Sequence, residues 1–192
     1  MTTEPETSTL DLVSLGFTGL ILAGAVVVGG VQVLLAPDED PWVVRYYANE
    51  AFAGEPVATR AREITFHWGR SAPIEGIPED GFSARFDTCL VLEEPTTVEF
   101  VLESDDGSRL YVDGEEVVDN WGPHGMQERK ATRTVEAGRH HLRVDYYDVR
   151  FDGALVFTAA VGDDDARQLP VDLLVAPVDP DAEAPCEQVE GE

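Results

Sequence analysis

The sequence predicts an all-β domain preceded by one transmembrane helix. The first observation behind this prediction is an uncharged apolar run between residues 12 and 36. The second is a change after residue 41, where apolar side chains begin to recur at every second position, a period typical of strands with one buried face. No stretch of helical period and useful length follows residue 41, so a two-sheet sandwich or a barrel is the fitting architecture.

Residues 12–36 are long enough to cross a membrane as a helix. The run contains no charged residue, and Gln32 is its one strongly polar side chain. At about 1.5 Å per residue, roughly 25 residues span a hydrocarbon core of about 30 Å with some tilt. The glycines in the run would weaken a soluble helix but are common in membrane helices. We therefore expect contact with the lipid bilayer through residues 12–36, after a short acidic tail of residues 1–11.

A cleaved signal peptide is the alternative interpretation of the same run. No Lys or Arg precedes the apolar residues, the run exceeds a typical signal-peptide core, and Pro37 follows the small residue Ala36. These features favour an uncleaved anchor. Charge alone leaves the orientation of the anchor open. The tail before the apolar run is acidic and Arg45 lies after the run, so the positive-inside rule would put the domain in the cytoplasm, but that rule is weak for a whole folded domain.

The acidic composition excludes some classes of partner. The chain has 38 acidic and 13 basic residues, for a formal net charge of -25. Affinity for nucleic acid comes from neutralising phosphates with Lys and Arg, so we expect no nucleic-acid partner. The same charge argues against electrostatic adhesion to an anionic membrane surface.

A Pro-bounded spacer, residues 37–41, connects the expected helix to a β domain of residues 42–162. Asp113-Gly114 is a good hairpin turn because Gly tolerates positive φ. Residues 163–192 form an acidic C-terminal segment in which the apolar run 169–175 could add an edge strand. Its tail from Pro177 is expected to be disordered unless Cys186 pins it. The alternation is clearest at Phe82, Ala84 and Phe86; Val98, Phe100 and Leu102; His140, Leu142, Val144 and Tyr146; and Leu155, Phe157, Ala159 and Val161.

Cys89 and Cys186 are the two cysteines of the chain and permit a single disulfide. A bridge between them would fasten the C-terminal segment to the domain. The alternative is a pair of unpaired thiols. Disulfides persist in oxidising compartments, so the bridge is expected only if the domain is exported.

Five separated motifs occur in order along the chain: WVVRYYANEAFAGEP (Trp42 to Pro56), HWG (His67 to Gly69), FSARF (Phe82 to Phe86), SDDGSRLYVDGEEVVDNWGPHG (Ser104 to Gly125) and AGRHHLRVDYYD (Ala137 to Asp148). Together they resemble the PA14 domain over about residues 42–162. The resemblance implies a β-sandwich-like barrel of the kind found in adhesins, glycosidases, toxins and bacterial surface proteins. Most of these domains face the exterior, so the resemblance overrides the charge count and we expect the domain to lie outside or in the periplasm.

The resemblance also implies a metal site. In the lectin members of the family, adjacent aspartates joined by a cis peptide bind Ca²⁺, which then binds sugar hydroxyls; Asp105 and Asp106 match that pair. Ca²⁺ takes about six to eight oxygen ligands. In those lectins further ligands come from a later loop, often with an Asn, and here Asp148 and Asp152 occupy that stretch instead. The alternative is that Asp105-Asp106-Gly107 is a polar turn between strands.

Candidate ligand-binding residues are Asp105, Asp106, Gly107, Trp121 and His124. An exposed Trp stacks well on the face of a sugar, whereas the structural alternative is that the Asn-Trp turn packs against the barrel. Two further sites are set aside. His140 and His141 are strand neighbours that face opposite sides and cannot both bind one ion, and His67 beside Trp68 is expected to serve packing.

These observations predict a membrane-anchored, surface-displayed module for Ca²⁺-dependent glycan binding, and not an enzyme. The sequence holds no nucleophile elbow, zincin helix or phosphate loop. The alternative function is a structural or protein-interaction subunit of a cell-envelope assembly. A short anchor and a close tether to the bilayer favour that alternative.

Overall fold

The structure is a computed structural model that describes residues 40–162 and 165–187, together with the backbone of two short strands before them. The chain divides into two compact units, residues 1–36 and residues 37–192. Within the described residues, no helix is long and apolar enough to span a membrane.

The two N-terminal strands are β1 (Ala25–Val28) and β2 (Val31–Leu34), which pair antiparallel with Val28 opposite Val31. At these residues the structure does not support the expected helix. The physical reason is local, because β-branched valines favour strands and a Gly-Gly pair between two such runs favours a hairpin. The rest of the predicted span (12–24, 29–30 and 35–36), the tail 1–11 and most of the spacer lie outside the described residues.

The second unit is built from antiparallel strands, which confirms the all-β prediction. One sheet has four strands in the order β10-β7-β12-β5, and the other has seven, in the order β4-β3-β6-β11-β8-β9 with β13 also paired to β6. A 3-10 helix, Val171–Leu173, precedes the last strand. The strands are β3 (Trp42–Tyr47), β4 (Val57–Ala61), β5 (Thr65–Gly69), β6 (Phe82–Leu92), β7 (Thr96–Asp105), β8 (Ser108–Val112), β9 (Glu115–Asn120), β10 (Gln127–Val135), β11 (Gly138–Asp148), β12 (Gly153–Val161) and β13 (Leu174–Val175).

The core lies between the two sheets and follows the alternation of the sequence. In β7, Val98, Phe100 and Leu102 are fully buried, while Glu99 and Glu103 are only partly covered. Burying an apolar side chain of this size contributes about 1.5–3 kcal/mol. The largest fully buried side chains are Trp42, Tyr46, Ile64, Phe82, Phe86, Leu90, Phe100, Leu102, Leu110, Leu142, Tyr146 and Phe157.

The outer face of the seven-stranded sheet carries a row of charged side chains, which we call the ionic row. Its members pair by ion contacts: the Nε atoms of Arg85 and Arg109 lie 2.9 Å from Oδ1 of Asp145 and Asp119, respectively. This pairing offsets the cost of burying charge at Asp145, whose side chain is 9% exposed, whereas the Arg109–Asp119 pair remains open to solvent. In register across β3, β6, β11, β8 and β9, the row is Arg45, Arg85, Asp145, Arg109 and Asp119.

The C-terminal segment, residues 165–187, is fastened to this outer face. Cys186 forms a disulfide with Cys89 of β6. Arg45 Nη1 donates to Asp181 Oδ2 at 2.6 Å, and Arg45 Nη2 donates to the fully buried Asp87 at 2.9 Å. The segment therefore covers polar groups of β3 and β6 that would otherwise face water.

We expect removal of the disulfide to lower the free energy of unfolding by about 2–4 kcal/mol, because the bridge closes a loop with a sequence separation of 97. Denaturant unfolding of the full chain and of the double variant Cys89→Ser/Cys186→Ser, each with and without reductant, measures this. The variant serves as the control because reductant cannot change it. Equal stability of the unmutated chain in both conditions would contradict the prediction.

Candidate functional site

The link between β7 and β8 carries the two aspartates that the sequence singles out. Their peptide bond is cis. The Tyr146 hydroxyl donates to the carbonyl oxygen of Asp105 at 2.5 Å. A Cβ on Gly107 would lie 2.3 Å from Tyr147 Cε1 and 2.9 Å from the nitrogen of Gly122. Only glycine therefore fits at this point of the link.

Asp106 connects this link to two loops. Its Oδ1 accepts the backbone N–H of His124 at 2.9 Å, and its Oδ2 accepts that of Val149 at 2.9 Å. The first loop follows β9, and the second joins β11 to β12. The Asp106 residue is 7% exposed, so these are largely dry, charge-assisted bonds. Each carboxylate oxygen retains a lone pair for another partner.

Asp148 lies at the end of β11 and is 1% exposed. Within the described residues, neither of its carboxylate oxygens has a hydrogen-bond partner. Burial raises the pKa of Asp148 to about 7, and the negative charge of Asp106 adds to the shift, while the nearby Gly81 amide opposes it without reaching hydrogen-bond geometry. A buried ionised carboxylate without a partner is costly, so this group is suited to hold a proton or a cation.

The four predicted metal ligands are not equally placed. Burial raises the pKa of Asp105, and the negative charges of Asp106 and Asp152 raise it further, while His124 acts to lower it. The carboxylates of Asp105, Asp106 and Asp152 therefore lie in one negative region. Asp152 is at its exposed rim, where it lies 3.6 Å from Arg70 Nε. Within the described residues, no three His, Cys, Asp or Glu side chains are grouped so that they could hold a metal ion. A cation here would also need carbonyl or water oxygens.

Trp121 and His124 belong to the loop that Asp106 holds. Trp121 is 37% exposed, and its ring centroid lies 4.5 Å from that of Tyr147. The ring nitrogens of His124 lie 2.9 Å from the carbonyl oxygens of Gly125 and Asn120. His124 thus uses its ring to shape its own loop, whereas Trp121 remains accessible to a ligand.

Phe52 is a site residue that sequence reasoning missed. Its ring centroid lies 6.3 Å from that of Trp121, although the two residues come from different loops. Its φ is 54°, a region uncommon for residues other than glycine. No periodicity or spacing in the sequence points to this contact. Its one local signal is an aromatic side chain inside a polar turn.

The set-aside histidines have separate partners. His140 Nδ1 lies 2.7 Å from Asp113, and His141 Nε2 lies 3.0 Å from Asp87. The expectation that His67 serves packing is wrong, because that side chain is exposed while its neighbour Trp68 packs into the core. Alternation along β5 places the two residues on opposite faces of the sheet.

A groove of about 1100 Å³ lies between β11 and the C-terminal segment. Arg139, His141 and Arg143 line it on the strand side, and Asp181 and Glu183 line it on the other. None of the predicted metal or ligand-binding residues is among them. Because both basic and acidic side chains line the groove, its charge favours neither anionic nor cationic ligands.

The PA14 domain model matches residues 42–168. The chain belongs to the PA14 domain family. A PA14 sugar-binding domain from an RTX adhesin shares the fold with a TM-score of 0.58 at 14% identity, covering 72% of this chain and 99% of that one. Family membership thus confirms the resemblance carried by the five sequence motifs.

Two further matches have names that refer to anti-sigma factors. Anti-sigma-I factor RsgI3 of Acetivibrio thermocellus is 30% identical over 103 residues, which are 53% of this chain and 16% of that protein. An anti-sigma factor domain-containing protein from Clostridium clariflavum has a TM-score of 0.65 at 19% identity, covering 71% of this chain and 47% of that one. This chain therefore spans less than half the length of either anti-sigma relative.

We expect Gly107→Ala to destabilise the domain by about 1–3 kcal/mol, because the added methyl group overlaps Tyr147 and Gly122. Gly125→Ala is the matched control, since its Cβ would meet nothing closer than Asp105 Oδ2 at 4.0 Å. Thermal melting of both variants measures the difference. Equal melting temperatures for the two would show that the link is not tightly packed.

We expect Asp148→Asn to stabilise the protein at pH 8 in the presence of chelator, by roughly 1–3 kcal/mol. The folded pKa of about 7 exceeds the unfolded value near 3.9, so the native state binds the extra proton and loses stability as pH rises from about 4 to 7. Denaturant unfolding at several pH values measures the difference between variant and unmutated chain. That difference should vanish below about pH 4; one that is constant with pH would contradict the assignment.

Proposed function

We propose that this chain is a carbohydrate-binding module that holds Ca²⁺ with Asp105, Asp106 and Asp148. The observation that supports it most is the buried Asp148 carboxylate, whose two oxygens lack hydrogen-bond partners beside the charge of Asp106. Oxygen atoms of carboxylates are ligands that Ca²⁺ prefers. A bound cation would compensate both the burial of the Asp148 carboxylate and its repulsion by Asp106, which together raise its pKa.

The donor set fits Ca²⁺ better than a transition metal, because it is made of hard oxygen ligands. Among the described residues no three His, Cys, Asp or Glu side chains are grouped so as to hold an ion, so the three carboxylates would have to draw together on binding. They would then supply part of a coordination shell of about six to eight oxygens, and carbonyl groups and water would supply the rest. When bound, the ion offers positions at which vicinal sugar hydroxyls replace water. Asp152, at the exposed rim, would contribute negative charge to the same region.

The fold supports carbohydrate as the ligand class, since the sugar-binding domain of the RTX adhesin has the same architecture over 99% of its length. We propose binding and not catalysis as the role of this site. We also propose that residues 12–36 attach the domain to a membrane, with the domain facing the exterior or the periplasm. An uncharged apolar run and the Cys89–Cys186 disulfide, a bond typical of oxidising compartments, support this part.

A second candidate is a protein-interaction role in a cell-envelope or membrane assembly. It is favoured by the 30% identity to Anti-sigma-I factor RsgI3, which is higher than the 14% identity to the sugar-binding adhesin domain. In this hypothesis the domain contacts a protein partner, and the carboxylate cluster serves to shape the loops.

We expect Ca²⁺ at about 10 mM, added after chelator treatment, to raise the melting temperature of the full chain by several degrees. Ligand that binds only the native state stabilises it by mass action. Mg²⁺ at the same concentration should do less, because it demands stricter octahedral geometry. Asp148→Asn should lose the Ca²⁺ response, whereas Glu183→Gln, which removes an exposed carboxylate of the C-terminal segment, should keep it.

A glycan array with and without chelator then tests the ligand. Retention of a glycan only in the presence of Ca²⁺ would support the proposal. An unchanged melting temperature at millimolar Ca²⁺ would contradict the proposed Ca²⁺ site. An array that retains no glycan would contradict carbohydrate as the ligand class. A stoichiometric protein that co-purifies despite chelation would favour the second candidate.

A further inference from the structure

The C-terminal segment includes a stretch that lies outside the residues matched by the family. The match ends at residue 168. Strand β13 then pairs with β6, and the chain after it passes over the outer face of the seven-stranded sheet to the disulfide at Cys186. We call this last stretch, residues 176–187, the cover. It forms one wall of the groove along β11.

The cover is acidic, and the surface under it carries basic charge. After Arg167 the sequence contains seven Asp and Glu residues and no Lys or Arg. The pKa of Asp181 is lowered, first by its hydrogen bond to Arg45, and the charges of Arg85 and Arg143 add to this effect against that of burial. Five of the 13 basic residues of the chain face outward from the seven-stranded sheet: Arg45, Arg85, Arg109, Arg139 and Arg143.

Few contacts other than the disulfide hold the cover. Within the described residues, its side chains make one ion pair with the sheet, between Asp181 and Arg45, and the Asp181 side chain is 70% exposed. Pro177 and Cys186 are the residues of the cover that are buried. An exposed ion pair contributes about 0–1 kcal/mol, whereas ordering the backbone of each residue costs roughly 1–2 kcal/mol. The disulfide is therefore the bond that keeps the cover on the sheet.

The groove gives a reductant access to this disulfide. Cys186 lines the groove and is 9% exposed, while Cys89 is 1% exposed. A thiolate of a dithiol reductant attacks Cys186 Sγ, which breaks the Cys89–Cys186 bond and forms a mixed disulfide. The second thiol of the reductant then closes the reductant's own disulfide. Cys89 and Cys186 become thiols with two electrons and two protons from the reductant.

Loss of the cover would change the charge of the groove. The carboxylates of Asp181 and Glu183 would leave with it. Arg139, His141 and Arg143 of β11 would remain, at every second position of the strand and therefore about 7 Å apart. Carboxylates at every second residue of an extended peptide have the same spacing. The open face thus matches an acidic segment in an extended conformation.

We propose that the cover is an autoinhibitory strap: reduction of the Cys89–Cys186 disulfide releases residues 176–187, and the uncovered arginines of β11 bind an extended acidic segment of a protein partner. This inference goes beyond both candidate functions and uses no residue of the carboxylate cluster. At physiological ionic strength, exposed charges more than about 8 Å away are largely screened, so the local arginines outweigh the distant negative charge of the chain. Nucleic acid fits less well, because its phosphates extend beyond this basic surface.

Limited proteolysis of the full chain tests the release. We expect a Glu-specific protease to cleave after Glu183 about tenfold faster in dithiothreitol, because a freed segment is a better protease substrate. The double variant Cys89→Ser/Cys186→Ser should be cleaved at the fast rate with or without reductant. Cleavage after Glu79, in the exposed loop between β5 and β6, is the internal control and should not change. Intact-mass measurement over time follows both cuts.

Fluorescence anisotropy tests the surface. The probe is a labelled peptide that alternates Glu and Ser over about ten residues, and its matched control alternates Gln and Ser. We expect the Glu peptide to bind the reduced chain and the double variant about tenfold more tightly than the oxidised chain, because a tethered occupant competes at a millimolar effective concentration. Adding Arg139→Gln to the double variant should weaken binding about threefold. Adding Arg129→Gln, on β10 of the other sheet, should leave it unchanged.

Equal cleavage after Glu183 in the oxidised and reduced chains would overturn the release. A Glu peptide that binds both forms equally, or neither, would overturn the autoinhibition of this surface. A cooperative melting transition shows that the double variant is folded, and the reduced unmutated chain gives the same comparison without any substitution. None of these results depends on Ca²⁺ or on glycan binding, so the proposed function and the strap can fail separately.

Discussion

The carboxylate of Asp106 is the group on which the candidate site depends. One side chain, almost shielded from water, accepts backbone N–H groups from two loops that are remote from each other in sequence. Because both bonds are charge-assisted, the β7–β8 link, the Trp121 loop and the β11–β12 loop are fixed to one point. The loop that carries Trp121 and the loop that carries Asp152 are thus both anchored at the β7–β8 link.

The strands were largely predictable because the core is apolar and lies on one face of each sheet. In β7, β11 and β12, apolar side chains at every second position mark the face that is buried. The alternation is less informative for β6. Ser83 and Asp87 are polar yet fully buried on the outer face. The loop after β3 covers Ser83 through hydrogen bonds to Asn49 and Phe52, and Asp87 bonds Arg45, which also bonds the C-terminal segment. Burial of paired charge leaves no signature in hydrophobic periodicity, so the second covered face could not be read from the sequence.

The candidate site rests on a different kind of signal. Asp105 and Asp106 were predicted because they match a family motif within one short link between strands, and Asp148 because it lies in the later stretch that carries ligands in the lectin members of the family. The contact between Phe52 and Trp121 joins loops from opposite parts of the chain and depends on the left-handed φ of Phe52. Such a contact is set by tertiary packing, and a single sequence carries no local record of it.

The disulfide to β6 has a mechanical consequence. Tension applied at the C-terminal segment passes through Cys186 directly into Cys89 of β6, a strand within the seven-stranded sheet, instead of peeling the segment away residue by residue. Tension from the N-terminal side enters through β3, the neighbour of β6. The load path between these two points therefore runs through one pair of strands, and the loops that carry Trp121 and Asp152 lie outside it.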